Sequence, residues 1–128
     1  MHTIMRTSEV RDMNEKEEIL ANLIPELRRG TVVLSVLSQL TEPVYGYSLV
    51  QELSAKGMEI EANTLYPLLR RLEKQGLVMS QWETTSNKPR KYYMRNVKGT
   101  IVYEELKKQW TDIIGIVNAL LGEDKQNG

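Results

Sequence analysis

Apolar residues recur at helical spacing along most of the chain, and this pattern predicts a mainly α-helical protein. The first apolar stripe consists of Ile19, Leu20, Leu23 and Ile24. Asn14 followed by Glu17 is a candidate capping box for this helix. Pro25 either interrupts the helix or opens the next one, because proline is tolerated in a first turn. Residues 1–24 are therefore interpreted as a partly helical N-terminal extension that is frayed up to about Arg11.

Two further helices are predicted before residue 60. The segment Leu27–Leu40 is the most apolar part of the chain. Its spacing and length favour a mostly buried helix, although its β-branched residues weaken helix propensity. The next helix begins at Gly46 or Ser48. It stops at Ala55–Gly57, where a glycine just past the last helical residue is typical of a C-cap.

The following helix, in the stretch "ANTLYPLLRRLEKQGLV", has two chemically different faces. Asn63 or Thr64 is its predicted cap, and Gly76 is its predicted end. The inward face is apolar and consists of Leu65, Leu69 and Leu72, with Leu68 flanking it. The outer face is polar and cationic and consists of Asn63, Tyr66, Pro67, Arg70, Arg71 and Lys74. Pro67 stiffens the first turn if the helix begins at its predicted cap, and implies a kink if the helix begins earlier.

The segment after Gly76 predicts a β-hairpin. The runs "LVMSQWE" and "KYYMR" are rich in strand formers and flank the turn-rich "TTSNKPR". Lys88, Arg90 and Lys91 surround its tip, and Trp82 is expected to pack beneath it. Three compact helices followed by such a hairpin describe a winged helix-turn-helix, which is assigned to residues 25–98. The predicted fold class is mainly α with this small β-hairpin.

The last helix, from Thr100 to Leu121, has an apolar seam with heptad spacing. The seam consists of Tyr103, Leu106, Trp110, Ile113, Val117 and Leu120. One small domain cannot cover so much apolar surface, and burial is worth about 1.5–3 kcal/mol for each side chain. Residues 99–122 are therefore predicted to form a long C-terminal dimerisation helix, which packs on its counterpart or on the partner's N-terminal helix. Packing within the chain is the alternative, and residues 123–128 form a polar tail.

The formal net charge is zero, with 17 basic and 17 acidic residues, but the charges are unevenly distributed. From Thr64 to Lys98 there are eight basic and two acidic residues, so this segment carries +6 and the rest of the chain −6. A local potential of one sign attracts a polyanion even when the total cancels. Arginine on an outer helix face pairs with guanine edges or phosphates, and a cationic hairpin tip suits phosphates. The pattern indicates double-stranded DNA as a partner.

Other classes of function find little support in the composition. There is no cysteine, and the single histidine is His2, so neither a Ser/His/Asp arrangement nor a metal site of cysteines and histidines is expected. The chain is predicted not to be an enzyme and to need no metal or cofactor. No run approaches the eighteen or so apolar residues of a membrane span, and no secretory signal is visible. A cytoplasmic protein without a membrane partner is expected.

Four strings in the chain resemble one known family. "YGYSLVQEL", "NTLYPLLRRLEKQGLV", "SQWE" and "PRKYY" occur in order and at matching intervals. Together they strongly resemble the PadR-like bacterial transcription regulators, especially the short subfamily with one C-terminal helix. The likeness extends from about Pro25 to Leu121. Asn63 replaces the glycine usual in the family, and Asn96 is the candidate cap of the last helix in place of the usual threonine.

The resemblance implies a homodimeric winged helix repressor that binds a pseudo-palindromic operator. The family's DNA contacts carry over onto Thr64, Tyr66, Pro67 and Arg70 in the helix and onto Lys88, Arg90 and Lys91 in the hairpin. Tyr45 and Tyr47 match the start of the preceding helix, where they touch phosphates or pack. One of these two tyrosines is expected to pack.

Two alternatives stay open at this point. In some short members of the family a comparable tryptophan borders a cavity between subunits that accepts flat aromatic drugs. Trp110 and Ile114, with Ile113 and Val117 beside them, make a small aromatic ligand a further candidate partner, although a tryptophan in a helical seam is more usually core. The alternative function is a winged helix adaptor, in which the long helix joins a different protein and no specific DNA is bound.

Overall fold

The computed structural model describes residues 6–122, so His2 and the predicted tail at 123–128 lie outside the described residues. The described elements are, in chain order, α1 Thr7–Arg29, α2 Val32–Ser38, β1 Val44–Tyr45, α3 Gly46–Ala55, α4 Ala62–Lys74, β2 Val78–Glu83, β3 Arg90–Arg95 and α5 Val97–Leu121. They fall into two compact units, one up to Val32 and one from Val33 onward. None of the helices in the described range could cross a membrane.

α1 is one continuous helix of 23 residues, which corrects two expectations. Its N-cap is Arg6 and not Asn14, and the Glu9 carboxylate accepts the Arg6 N–H at 3.1 Å. Pro25 lies inside the helix, so it neither interrupts α1 nor opens the next helix. Glu9, Arg11 and Met13 between the true cap and Asn14 are good helix formers, and the helix extends through this segment although it lacks apolar periodicity. α1 buries none of its residues.

The single helix predicted over Leu27–Leu40 is divided in two. α1 ends at Arg29, Gly30 follows as its C-cap, and α2 begins at Val32. Glycine is a poor helix former, which explains a break at this position. Leu27 is 80% exposed, whereas Leu37 and Leu40 are completely buried, so only the second half of the predicted helix enters a core.

The core of the second unit lies between α2, α3, α4 and the sheet. Its fully buried side chains are Val36, Leu37, Leu40, Leu49, Leu65, Leu69 and Leu72. α3 and α4 end as predicted, each at a glycine of positive φ, which is +94° at Gly57 and +78° at Gly76. After Gly76, the Leu77 N–H returns to the Leu72 carbonyl at 3.0 Å, so the chain turns sharply from α4 into β2.

The predicted hairpin is present as β2 and β3, which pair antiparallel from Val78↔Arg95 to Glu83↔Arg90. β1 adds a third strand beside β3, in the order β1-β3-β2. The sequence did not predict β1, because two residues cannot display the alternation that marks a strand. The predicted fold class, mainly α with a winged helix-turn-helix and a long last helix, is confirmed.

β3 passes into α5 through Asn96, which caps the helix as predicted. Its side-chain oxygen accepts the Gly99 N–H at 2.8 Å, and its amide donates to the Gly76 carbonyl at 2.8 Å. Its backbone N–H donates to the Leu77 carbonyl at 3.1 Å. α5 begins at Val97, two residues before the predicted boundary, because this cap closes the first turn around Gly99.

Arg95 joins α2 to α5. Its guanidinium donates to the Leu37 carbonyl at 2.6 Å and to the Thr100 hydroxyl at 3.1 Å, and it lies 4.3 Å from the centre of the Tyr103 ring. Its backbone N–H donates to the Leu40 carbonyl at 2.8 Å. The charge of Arg95 therefore serves the packing of the second unit.

Candidate nucleic-acid interface

α4 begins earlier than predicted, at Ala62, with Glu61 as its N-cap. The Glu61 carbonyl accepts the N–H groups of both Thr64 and Leu65 at 2.9 Å, so the first helical turn is already closed there. Asn63 and Thr64, the two predicted caps, lie inside that first turn and leave their side chains exposed.

Pro67 lies inside α4, beyond the first turn. Of the two alternatives for this residue, the helix that begins earlier is the one observed. The ring leaves the Asn63 carbonyl without the N–H that a helix would normally offer it four residues on.

The two faces of α4 are those that the sequence predicted. Leu65, Leu68, Leu69 and Leu72 are buried. The exposed residues are Asn63, Thr64, Pro67, Arg70, Arg71 and Lys74. Because the inner leucines enter the core, the position of α4 is fixed while its cationic face stays open to solvent.

Tyr66 differs from its neighbours because it is half-buried. Its ring lies so close to α3 that a Cβ built on Gly46 would be 2.8 Å from Tyr66 Cε1. Burial is the main cause that raises the pKa of the Tyr66 phenol, and the neighbouring Tyr45 and Tyr93 add to it. The phenol is therefore held as a neutral hydroxyl at the edge of the outer face.

The hairpin tip, which is the wing of the fold, is organised by its own hydrogen bonds. The Thr85 N–H donates to the Glu83 carboxylate at 2.8 Å, and the Ser86 hydroxyl donates to the Lys88 carbonyl at 2.8 Å. The hydroxyl and N–H of Thr85 lower the pKa of the Glu83 carboxyl, with a smaller effect from Arg90. Lys88 and Arg90 are both exposed.

Arg90 is supported by the ring of Tyr45, the residue just before α3. Its guanidinium lies 5.2 Å from the centre of the Tyr45 ring, which is itself 6.0 Å from the Tyr92 ring. Tyr45 is half-buried, as expected for one of the two tyrosines, and Tyr47 is 55% exposed. Stacking on Tyr45 restricts Arg90 while its donors stay in solvent.

The cationic surface is smaller than the charge count indicated. Lys91 Nζ is 4.0 Å from the Glu73 carboxylate, and Lys98 Nζ donates to the Gln75 carbonyl at 3.4 Å. Arg95 is engaged with α2 and α5. Three of the eight basic residues are thus directed to groups of their own chain. This follows from contacts between distant residues, which a count along the sequence does not detect.

A cleft of about 350 Å³ separates α4 from the wing. Its walls are Tyr45, Tyr66, Arg70, Trp82, Pro89, Lys91 and Tyr93. Trp82 is 58% exposed, so the expectation that it packs beneath the wing is wrong. Its pairing with Lys91 across the hairpin places both on the side of β2 and β3 that faces α4. Strand alternation from the buried Val78 could have placed Trp82 on that side.

The family described as "Transcriptional regulator PadR-like family" matches residues 33–105, more than half of the 128 residues. The chain belongs to this family. This PadR-like protein is also similar to a transcriptional regulator from Mycobacterium tuberculosis, with 35% identity over 81 residues, which are 62% of this chain and 76% of the relative.

Solved structures of PadR-like regulators have the same fold. A PadR family regulator from Eggerthella lenta is 50% identical, with a TM-score of 0.80 over 84% of this chain and 96% of the other. A PadR-like regulator from Bacillus cereus is 32% identical, with a TM-score of 0.67 over 75% of this chain and 96% of the other. The resemblance predicted from the four strings is confirmed.

The PadR-like family consists of DNA-binding regulators of transcription and not of enzymes, so the prediction of a non-enzymatic DNA-binding protein is confirmed. Within residues 6–122 there is no group of three or more acidic, histidine or cysteine side chains that could hold a metal ion.

The α5 seam of the PadR-like protein is covered unevenly. Tyr103 and Leu106, near Arg95, are half-buried within the chain. The later seam residues are exposed, at 39% for Trp110, 49% for Ile113 and 42% for Val117, and Leu120 is 80% exposed. Packing within the chain therefore accounts for only the first part of the seam.

Proposed function

We propose that this PadR-like regulator binds an operator as a homodimer, with α4 in the major groove and the wing on the adjacent phosphates, and represses transcription there. The observation that carries the proposal is that Arg70 of α4 and Pro89 of the wing tip line the same cleft. The helix and the wing tip therefore border one cleft with the cation of Arg70 in its wall, an arrangement that suits a winged helix on a duplex. Such a regulator acts where the chromosome lies, in the cytoplasm.

The proposed contacts divide into two groups by chemistry. The α4 group consists of Asn63, Thr64, Tyr66, Pro67, Arg70, Arg71 and Lys74. The wing group consists of the exposed Lys88 and Arg90, and the third residue predicted there, Lys91, is directed to Glu73. Arg70 is central in the exposed face of α4, where its forked donors suit a guanine edge. The exposed Lys88 suits a phosphate, which positions the protein without reading sequence.

Arg70→Ala is expected to remove most of the preference for the operator, because a bidentate contact to a base discriminates by about 1–3 kcal/mol. Fluorescence anisotropy with the operator selected by the wild-type protein and with a scrambled duplex of equal length measures the ratio of the two affinities. Lys107→Ala removes the same charge from α5 and should leave that ratio unchanged. If the ratio of the two affinities were unaltered in Arg70→Ala, Arg70 would not take part in base recognition.

Lys88→Ala is expected to weaken binding to every duplex by a similar factor. In the proposed homodimer the substitution removes one phosphate contact per subunit, so the slope of log affinity against log salt concentration becomes shallower by about 1.8, at about 0.9 for each contact. A salt titration from low to physiological ionic strength measures the slope. If Lys88→Ala and Arg70→Ala both bound the operator as the wild type does, the proposed interface would be wrong, and an absence of any binding at low salt would favour the adaptor.

The homodimer is supported by apolar surface that the described chain leaves open. On α5 it is Trp110, Ile113 and Val117, at successive seam positions. α1, taken by itself, exposes Val10, Met13, Leu20, Ile24 and Leu27. To bind such an operator, a two-fold dimer through the seam must hold its two copies of α4 about 34 Å apart, one turn of DNA. The palindromic operator is part of this proposal.

The aromatic ligand at Trp110 and Ile114 stays a prediction. Both side chains are exposed in the single chain, at 39% and 38%, so a second copy would have to complete the cavity. Quenching of tryptophan fluorescence in Trp82→Phe, with Trp110→Phe as the control, would detect a flat aromatic compound there.

A further inference from the structure

Glu73, close to the C-terminal end of α4, contacts both strands of the wing. The Ser80 hydroxyl of β2 donates a hydrogen bond to Glu73 Oε2. Lys91 Nζ of β3 lies 4.0 Å from Glu73 Oε1, and the two side chains are only 29% and 34% exposed. One carboxylate therefore holds one residue from each strand.

Lys91 is also enclosed by the rings of its neighbours. Its ammonium lies 5.8 Å from the centre of the Trp82 ring and 5.5 Å from that of Tyr93. Trp82 faces it directly across the hairpin. The charge of Lys91 is thus satisfied by a carboxylate and two aromatic faces, whereas Lys88 is exposed at the tip.

The buried side chain of Tyr93 lies close to both Glu73 and Arg70. It is 4% exposed and pairs with Ser80 in the sheet. Burial is the main cause that raises the pKa of its phenol, Glu73 adds to it, and Arg70 opposes it. Glu73 and Arg70 therefore both act on one buried side chain, at the base of the cleft between α4 and the wing.

The negative charge of Glu73, taken by itself, weakens DNA binding. The carboxylate lies on the same helix as Arg70 and repels the phosphates of the duplex. Any favourable effect of Glu73 on operator binding must come from the position that it gives to the wing.

We propose that Glu73 is a positioning residue that fixes the wing against α4 through Ser80 and Lys91, and that Lys91 acts on DNA through this contact and not at a phosphate. The inference rests on the proposed function, since it concerns how α4 and the wing meet one operator. In this proposal Lys91 does not contact a phosphate. It helps to hold the wing, with Trp82 and the hairpin tip, in place against α4.

Glu73→Gln has two expected effects on the affinity for the operator, and they have opposite signs. Removal of the negative charge raises the affinity, whereas loss of the contact with the wing lowers it. Loss of a negative charge alone would tighten binding to operator and to scrambled DNA by the same factor. If Glu73 positions the wing, a displaced wing shifts the register in which α4 reads the bases, so the ratio of operator affinity to scrambled affinity falls about tenfold, within the range of couplings between residues in contact. Anisotropy titrations on both duplexes give the ratio.

Glu61→Gln is the matched control, because Glu61 is an exposed carboxylate at the start of the same helix and makes no side-chain cap. It should raise both affinities and leave the ratio unchanged. Glu73→Asp keeps the charge and shortens the reach, so it should lower the ratio without raising the affinity for scrambled DNA. Circular dichroism and thermal unfolding of each variant establish that it is folded.

Lys91→Met tests the second half of the proposal. The salt slope should stay that of the wild type, while Lys88→Ala makes it shallower by about 1.8 in the dimer, at about 0.9 for each contact. The double variant with Glu73→Gln should lose no more specificity than the stronger single variant, because both remove one contact. A slope lowered by Lys91→Met, or an unchanged ratio in Glu73→Gln, would overturn the inference. A wild-type protein without operator preference would instead overturn the proposed function.

Discussion

Gly99→Ala is expected to destabilise the PadR-like protein by about 3 kcal/mol or more, since overpacking against a fixed group costs 1–3 kcal/mol or above. A Cβ at this position would overlap the Leu77 carbonyl oxygen and would lie 3.1 Å from Arg95 Cβ. The Leu77 carbonyl cannot retreat freely, because it accepts the Asn96 N–H at 3.1 Å. No rotation of a side chain relieves a contact with the backbone.

Urea denaturation at matched protein concentration measures the loss of stability, and the concentration must match because association adds to the stability of a dimer. Gly115→Ala is the control on the same helix. A Cβ there meets nothing within 4 Å, so alanine should stabilise the helix by about 0.5–1 kcal/mol. If Gly99→Ala unfolded at the wild-type midpoint, the close approach between Leu77 and α5 would not exist in solution.

Ile113→Glu is expected to convert the proposed dimer into monomers. Ile113 lies in the middle of the seam and is 49% exposed in the single chain. Two-fold symmetry would bring two new carboxylates into one apolar interface, at a cost of several kcal/mol per buried charge. Since 1.4 kcal/mol is a factor of ten, the association constant should fall by at least about a hundredfold. Sedimentation velocity over a range of concentrations measures it.

The same variant should lose high affinity for the operator, because each monomer holds only one half-site and the gain from linked sites disappears. Ile101→Glu is the matched control. Ile101 is 65% exposed on α5 and lies two residues before Tyr103, on the side of the helix away from the seam. It should remain dimeric and bind normally. A dimer that survives Ile113→Glu would place the interface elsewhere.

Features fixed by neighbouring residues were predictable from the sequence. The leucine face of α4 follows from a spacing of three and four residues, and burial bears it out. The glycine ends at Gly57 and Gly76 and the Asn96 cap depend on backbone conformation within a few residues. The N-cap of α4 was missed by two or three residues, because Glu61 closes the turn through its backbone and its side chain makes no cap.

Features fixed by distant residues were not predictable. Arg95 was counted in a cationic surface, yet its guanidinium donates to Leu37, 58 residues away. In the charge count, Glu73 was only one of the two acidic residues of the segment, although its carboxylate contacts Lys91 on the second strand of the hairpin. Local charge density therefore identified the correct part of the molecule and overestimated the number of cations available to DNA.

The connection at Asn96 has a mechanical consequence. A single residue separates Arg95, the end of β3, from Val97, the start of α5, and its backbone and side-chain amide groups are all bonded. The junction between β3 and α5 is consequently rigid, and α5 turns together with β3. A rotation of about 5° there moves the far end of a helix about 37 Å long by roughly 3 Å. In the proposed dimer, a small shift between the ends of the two α5 helices would therefore turn β3 in each subunit and change the distance between the two copies of α4.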